Sequence, residues 1–213
     1  MGKISQGILG GFSGKVGTVI GGSWKGIDYM RSVAASVSNP RTPAQMDQRT
    51  RFATAISFLQ PLTSFLRVGF KDYAVKMSAF NAAMAYTLRN SILGEYPNYF
   101  INYADALVSR GNLPGALNAT VASTVPGQID FAWADNSGDG AALATDKVLL
   151  VLYNSTKKQA VTVTGGNTRS AGSQFVTVPA AFAGDELNCY IAFQSENQSE
   201  VSNSAYLGEV VVS

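Results

Sequence analysis

Histidine is absent from this 213-residue chain, and cysteine occurs once. The first absence removes the usual near-neutral proton shuttle and the commonest metal ligand, which excludes histidine-dependent triads and histidine-bound zinc. The second excludes an internal disulfide and a cysteine-cluster metal site. Cys189 stands inside the apolar stretch "LNCYIAF". With no imidazole to activate its thiol, it reads as a small buried hydrophobe rather than a nucleophile. Charge is sparse as well, with 16 Lys and Arg, 14 Asp and Glu and a net charge of +2. No pair of carboxylates stands out for glycoside chemistry, and no other acid/base constellation assembles, so the residues argue against an enzyme. No cofactor is implied: "GILGGFSG" fits neither a Walker loop nor a dinucleotide-binding turn. Long apolar runs are also missing. Glycines and Lys15 break up the N-terminal "MGKISQGILGGFSGKVGTVIGG", so neither a Sec signal peptide nor a membrane span is expected.

What is present is a 46% hydrophobic chain, enough to bury one or two cores. Its texture changes twice, giving a glycine-rich region over residues 1–38, a helical region over 39–111 and a β-rich region over 112–213. In the first, "KVGTVIGGSWKGIDYMRS" reads as two strands, 15–20 and 23–32, joined at Gly21 and Gly22 in a tight primed turn. Neither face of that hairpin is cleanly apolar, so it must lean on its own helices or on another subunit. Lys3 to Phe12 has no period and reads as an arm that orders on assembly.

The helical region opens on the clearest local signal. In "NPRTPAQ", Thr42 is a preferred N-cap, Pro43 suits the first helical position and Gln45 completes a capping box. The helix is expected to run to about Leu59, with Phe52, Ile56 and Leu59 as its apolar stripe. Followed backward, that stripe meets Arg49, Gln48 and Gln45, so the charged start of the helix projects toward a partner or solvent. A second amphipathic segment follows Pro61, placing Leu62, Phe65, Leu66, Phe70 and Tyr73 on one side. A third helix is capped by Ser78, carries Phe80, Met84, Leu88 and Ile92, and stops at Gly94. "YPNYFINY" reads as an extended segment packed on the helices.

The last region is expected to be a sandwich of about seven strands. "GQIDFAWAD" alternates, with Ile129, Phe131 and Trp133 on one face, and further β-like runs follow at sandwich spacing. The fold class is therefore α+β: a glycine-rich β-hairpin and helices, followed by an immunoglobulin- or fibronectin type III-like β-sandwich. Lacking a disulfide, the second style fits better.

One small motif imitates a metal loop. "DNSGDGAALATD" places Asp135, Ser137 and Asp139 at alternate positions and Asp146 twelfth, as in a calcium-binding EF-hand loop. Strands rather than helices flank it, and the same residues serve any turn, so no metal site is assigned.

Charge is unevenly spread. Residues 1–112 hold 12 Lys and Arg against 5 Asp and Glu, net +7, while residues 113–213 hold 4 against 9, net −5. Opposite ends of opposite sign favour head-to-tail contact between copies. Nucleic acid is the rival partner for the basic half, but the positive residues are scattered rather than clustered, which argues against it. The residues singled out for a contact between chains are Trp24, Lys25, Tyr29, Arg31, Arg41, Arg49 and Arg51, since arginine forks and aromatic rings are enriched where chains meet.

"KISQGILGGFSGKVGTVIGGSWKGIDYMRS", "NPRTPAQMDQRTRF" and the C-terminal "EVSNSAYLGEVVV" closely resemble a full-length family of unknown function that is abundant in Bacteroidota. The shorter pattern from Trp24, Lys25 and Gly26 through Tyr29, Met30, Arg31 and Ser32 to Asn39–Gln45 is similar to the start of phage and prophage structural proteins. That resemblance implies a non-enzymatic subunit of a virion- or tail-type particle, partnered by copies of itself and other assembly proteins, in the virion or a cytoplasmic assembly. The alternative is a glycan- or cell-surface-binding module built on the sandwich. The two differ in where they need exposed aromatic rings.

Overall fold

The computed structural model describes residues 3–4, 12–24, 27–36 and 39–213, and the chain divides into two compact units, residues 1–45 and 46–213. Among the described residues, no helix is long and apolar enough to cross a membrane.

Unit one is a four-stranded antiparallel meander, β1(Lys3–Ile4), β2(Phe12–Val16), β3(Val19–Trp24) and β4(Ile27–Ser32), in that spatial order. The turn expected at Gly21 and Gly22 lies elsewhere. Val16 pairs with Val19, which leaves Gly17 and Thr18 as the two-residue loop, and Gly17 adopts φ +57° as the first position of a primed turn requires. Gly21 and Gly22 sit inside β3 because neighbouring aromatic side chains cover them. A Cβ on Gly21 would stand 2.2 Å from the Phe12 carbonyl oxygen and 2.7 Å from its ring, and one on Gly22 would stand 3.0 Å from the Tyr29 ring. Glycine under a cross-strand aromatic is a strand device, and it looks like a turn in sequence. Of the expected arm, Lys3–Ile4 pairs with Phe12 and Ser13, and residues 5–11 lie outside the described residues.

Unit two is built on the sandwich. One sheet has the order β11(Ser173–Thr177), β8(Gln128–Ala134), β7(Leu117–Val125). The other has the order β10(Gln159–Val163), β9(Lys147–Asn154), β12(Glu186–Gln194), β13(Ala205–Val211), and every neighbouring pair in both sheets is antiparallel. Seven strands split three against four, with the third and fourth paired in the larger sheet and no disulfide, make a fibronectin type III-like sandwich. Ile129, Phe131 and Trp133 point inward from β8 as their alternation predicts, and meet Val148, Leu150, Cys189, Ile191 and Phe193. Trp133 and Phe193 make an edge-to-face pair at 5.7 Å.

The larger sheet is covered on its other face too. Leu149, Val151 and Tyr153 of β9, with Tyr190 and Ala192 of β12, point out of the sandwich and into a second core made with the helices. That explains why "KVLLVLYN" and "LNCYIAF" are continuous apolar runs rather than alternating ones: both faces of these two strands are dry. The helical layer comprises α1(Pro43–Leu59), a 3₁₀ turn over Gln60–Leu62, α2(Thr63–Gly69) and α3(Ala79–Asn90). Helix α1 starts where the capping signal predicts, and the Ser78 hydroxyl accepts the Asn81 N–H at 3.1 Å to cap α3.

Two details of this layer differ from the periodicity. The buried residues of α1 are Ala55, Phe58 and Leu59, while Phe52 is 45% exposed, because Phe58 turns the helix toward Tyr153 and Tyr103, with ring centroids at 5.0 and 5.7 Å. Helix α3 ends at Asn90 rather than running on to Gly94. Ile92 instead begins β5(Ile92–Glu95), which pairs with β6(Asn98–Ile101), and Gly94 lies within that pair at φ +96°.

Candidate functional site

Unit one presents an exposed sheet face. Register places Trp24 opposite Ile27, Gly22 opposite Tyr29 and Ile20 opposite Arg31, so Trp24, Ile27, Tyr29 and Arg31 share one face of the sheet. Gly21 opposite Met30 and Val16 opposite Val19 occupy the other. All six residues of β4 are exposed, Met30 by 71% and Ile27 and Tyr29 by about half, and Trp24 at the end of β3 is open by 54%. β4 is also an edge strand, paired among the described residues with β3 alone. Exposed rows of aromatic and branched side chains beside an unpaired edge are the features that proteins normally suppress unless a neighbour uses them. Residues 1–45 carry Lys3, Lys15, Lys25, Arg31 and Arg41 against Asp28, so this segment is basic in composition.

The predicted contact residues do not all serve this surface. Trp24, Tyr29 and Arg31 do, Arg41 is exposed in the approach to α1, and Lys25 lies outside the described residues. Arg49 is exposed on α1, where it lines an apolar groove of about 520 Å³ with Phe52 and Ile56. Arg51 works within its own chain. Its guanidinium donates to the Leu88 carbonyl at 3.3 Å and lies 5.8 Å from the Tyr99 ring centre. The Tyr99 hydroxyl in turn donates to Asp47, and that bond holds the hydroxyl above the ordinary tyrosine range. Sequence reasoning missed Met30 and Phe52, the first because its strand was read for its aromatics, the second because it matched a core stripe.

The loop that resembled a calcium site is held differently. Asp135 accepts the Ser137 N–H at 2.9 Å, an Asx turn that keeps its carboxyl below the usual range, and Asp139 is exposed. Asp146 is fully buried and faces Arg169 at 3.1 Å. Among the described residues, no three acidic or thiol side chains come together as metal ligands. Cys189 is buried in the sandwich, and burial pushes its thiol up to about 12.

A family model described as a family of unknown function, DUF6266, matches residues 11–208. The chain belongs to that family. No curated protein matches it. Among solved structures, this DUF6266 chain is similar to the fibronectin type III domain of human collagen α-1(XX), at a TM-score of 0.34 and 10% identity, covering 48% of this chain and 89% of that one.

Proposed function

We propose that this DUF6266 protein is a non-enzymatic structural subunit of a multi-subunit assembly, of the phage- or prophage-derived, virion- or tail-type kind that its N-terminal pattern resembles. The observation that carries the reading is the N-terminal sheet, whose β4 is exposed along its whole length and whose Trp24, Ile27, Tyr29 and Met30 lack a core of their own. A small sheet of this kind gains independent stability only when a hydrophobic face is packed. Covering each large side chain would contribute about 1.5–3 kcal/mol, so a neighbouring copy that took the sheet would order it and bind at once. The opposed charges of the two halves give copies a polarity for head-to-tail contact.

The glycan-binding reading receives less support. Among the described residues of the sandwich, Phe175, 61% exposed, is the single strongly exposed aromatic ring, where glycan recognition calls for a platform of several. Light scattering of the purified chain at two concentrations, with negative-stain imaging, tests the assembly reading. Mass that rises with concentration, or rings and tubes, is the expected result. A monomer that stays monomeric at high concentration, alone and mixed with the neighbouring gene products, would overturn it.

A further inference from the structure

Within unit two, the helical layer holds a surface cavity of about 400 Å³ whose wall contains two arginines, Arg89 and Arg110, and two tyrosines, Tyr73 and Tyr86. Three separate parts of the chain build it. Helix α3 brings Tyr86 and Arg89 to one face by their three-residue spacing, Tyr73 ends the 3₁₀ turn Lys71–Tyr73 after α2, and Arg110 comes from the connection to the sandwich. The backbone under Arg110 is fixed closely. Its N–H donates to the Gly69 carbonyl at 2.8 Å, the Ser109 hydroxyl donates to the Ser202 carbonyl at 2.8 Å, and Gly111 lies so near Val201 that a Cβ would stand 2.0 Å from its carbonyl oxygen.

Its side chain is held just as specifically. The Arg110 guanidinium lies 4.1 Å from the Tyr73 ring centre and 5.4 Å from that of Tyr86. Stacking engages the faces of a guanidinium and leaves the N–H fork in its plane directed outward, which is the arrangement that binds a carboxylate or phosphate through two bonds. Among the described residues, no carboxylate is ion-paired with Arg89 or Arg110.

We infer that this cavity is an anion-binding site for a doubly charged phosphate group, either free inorganic phosphate or the terminal phosphate of a monoester. Two guanidinium groups in one cavity match a group of charge near −2 better than a carboxylate of charge −1. The aromatic walls would also accept an organic portion beyond the phosphate.

Calorimetric titration of the full chain with inorganic phosphate, phenyl phosphate and acetate tests this. Saturable binding of phosphate is expected, with acetate at least about tenfold weaker, the worth of one charge-assisted hydrogen bond. R110K keeps the charge and loses the planar fork, and R89Q changes an exposed residue; each is expected to weaken phosphate about tenfold or more. Tighter binding of phenyl phosphate than of phosphate would assign the site to a monoester, and equal binding to free phosphate. Absence of saturable phosphate binding, equal affinity for acetate, or R89Q binding like the unaltered chain would each overturn the inference.

Discussion

Arg169 and Asp146 meet at 3.1 Å inside the sandwich with both side chains fully excluded from solvent. The arginine is held from every side: its face lies 3.9 Å from the Phe193 ring centre, and its remaining N–H groups reach the Asn136 side chain at 2.6 Å and the Gly115 and Pro114 carbonyls at 3.1 and 2.9 Å. Its own carbonyl accepts the Trp133 indole N–H at 2.7 Å. One buried cation thereby ties together the strand carrying Trp133, the loop 135–146 and the lead-in to the first sandwich strand. Asp146→Ala leaves that cation unpaired in a dry site, so chemical denaturation should show a loss of about 3–5 kcal/mol. A loss below about 1 kcal/mol would mean that the carbonyl ligands alone satisfy Arg169.

Cys189 offers a probe of sandwich opening. Its thiol is buried and raised to about 12, so the folded protein should resist a thiolate-selective reagent at pH 8, whereas the unfolded chain, with an ordinary thiol near 8.5, should react readily. Labelling in native buffer as fast as in denaturant would show that β12 is not protected.

Acid should act on the contact between Lys157 and Asp185. The Lys157 ammonium and the Asn154 amide, at 2.6 Å, both donate to the Asp185 carboxylate and lower its pKa. A carboxylate depressed in the folded state contributes stability above its unfolded value, near 3.9, and loses it as pH falls through the folded value. The stability gap between the unaltered chain and Asp185→Asn should therefore be present at pH 7 and close below about pH 4. A gap independent of pH would assign the effect to packing.

Self-association should respond both to the basic residues around the start of α1 and to the apolar face of the N-terminal sheet. Arg41→Glu with Arg49→Glu is expected to block assembly while leaving unit two folded, and Trp24→Ser with Tyr29→Ser, made separately, to weaken it by removing apolar cover. Sedimentation with circular dichroism on the same samples reads both. Normal assembly of the charge-reversed variant would remove the start of α1 from the contact.

Much of the sandwich was legible because alternation and turn composition are local: Ile129, Phe131 and Trp133 declare their face within five residues. The start of α1 and the Ser78 cap of α3 were legible for the same reason. The errors share a different origin, since each depended on a residue distant in sequence or on a partner that periodicity does not show. Gly21 becomes a strand residue only under Phe12, Phe52 leaves the core because Phe58 claims Tyr153, and Asp146 imitates a calcium ligand until Arg169, 23 positions away, is seen to take it. The Arg110 cavity gave no local signal, because its walls come from three separated segments.

The two-sided burial of β9 and β12 also sets where this chain can be cut. A fragment beginning at the sandwich would bare Leu149, Val151, Tyr153, Tyr190 and Ala192 together, a greasy patch across the middle of its larger sheet. The helices are thus the sandwich's other wall, and any portable piece of the protein has to carry both, to be cloned, fused or displayed as one cartridge.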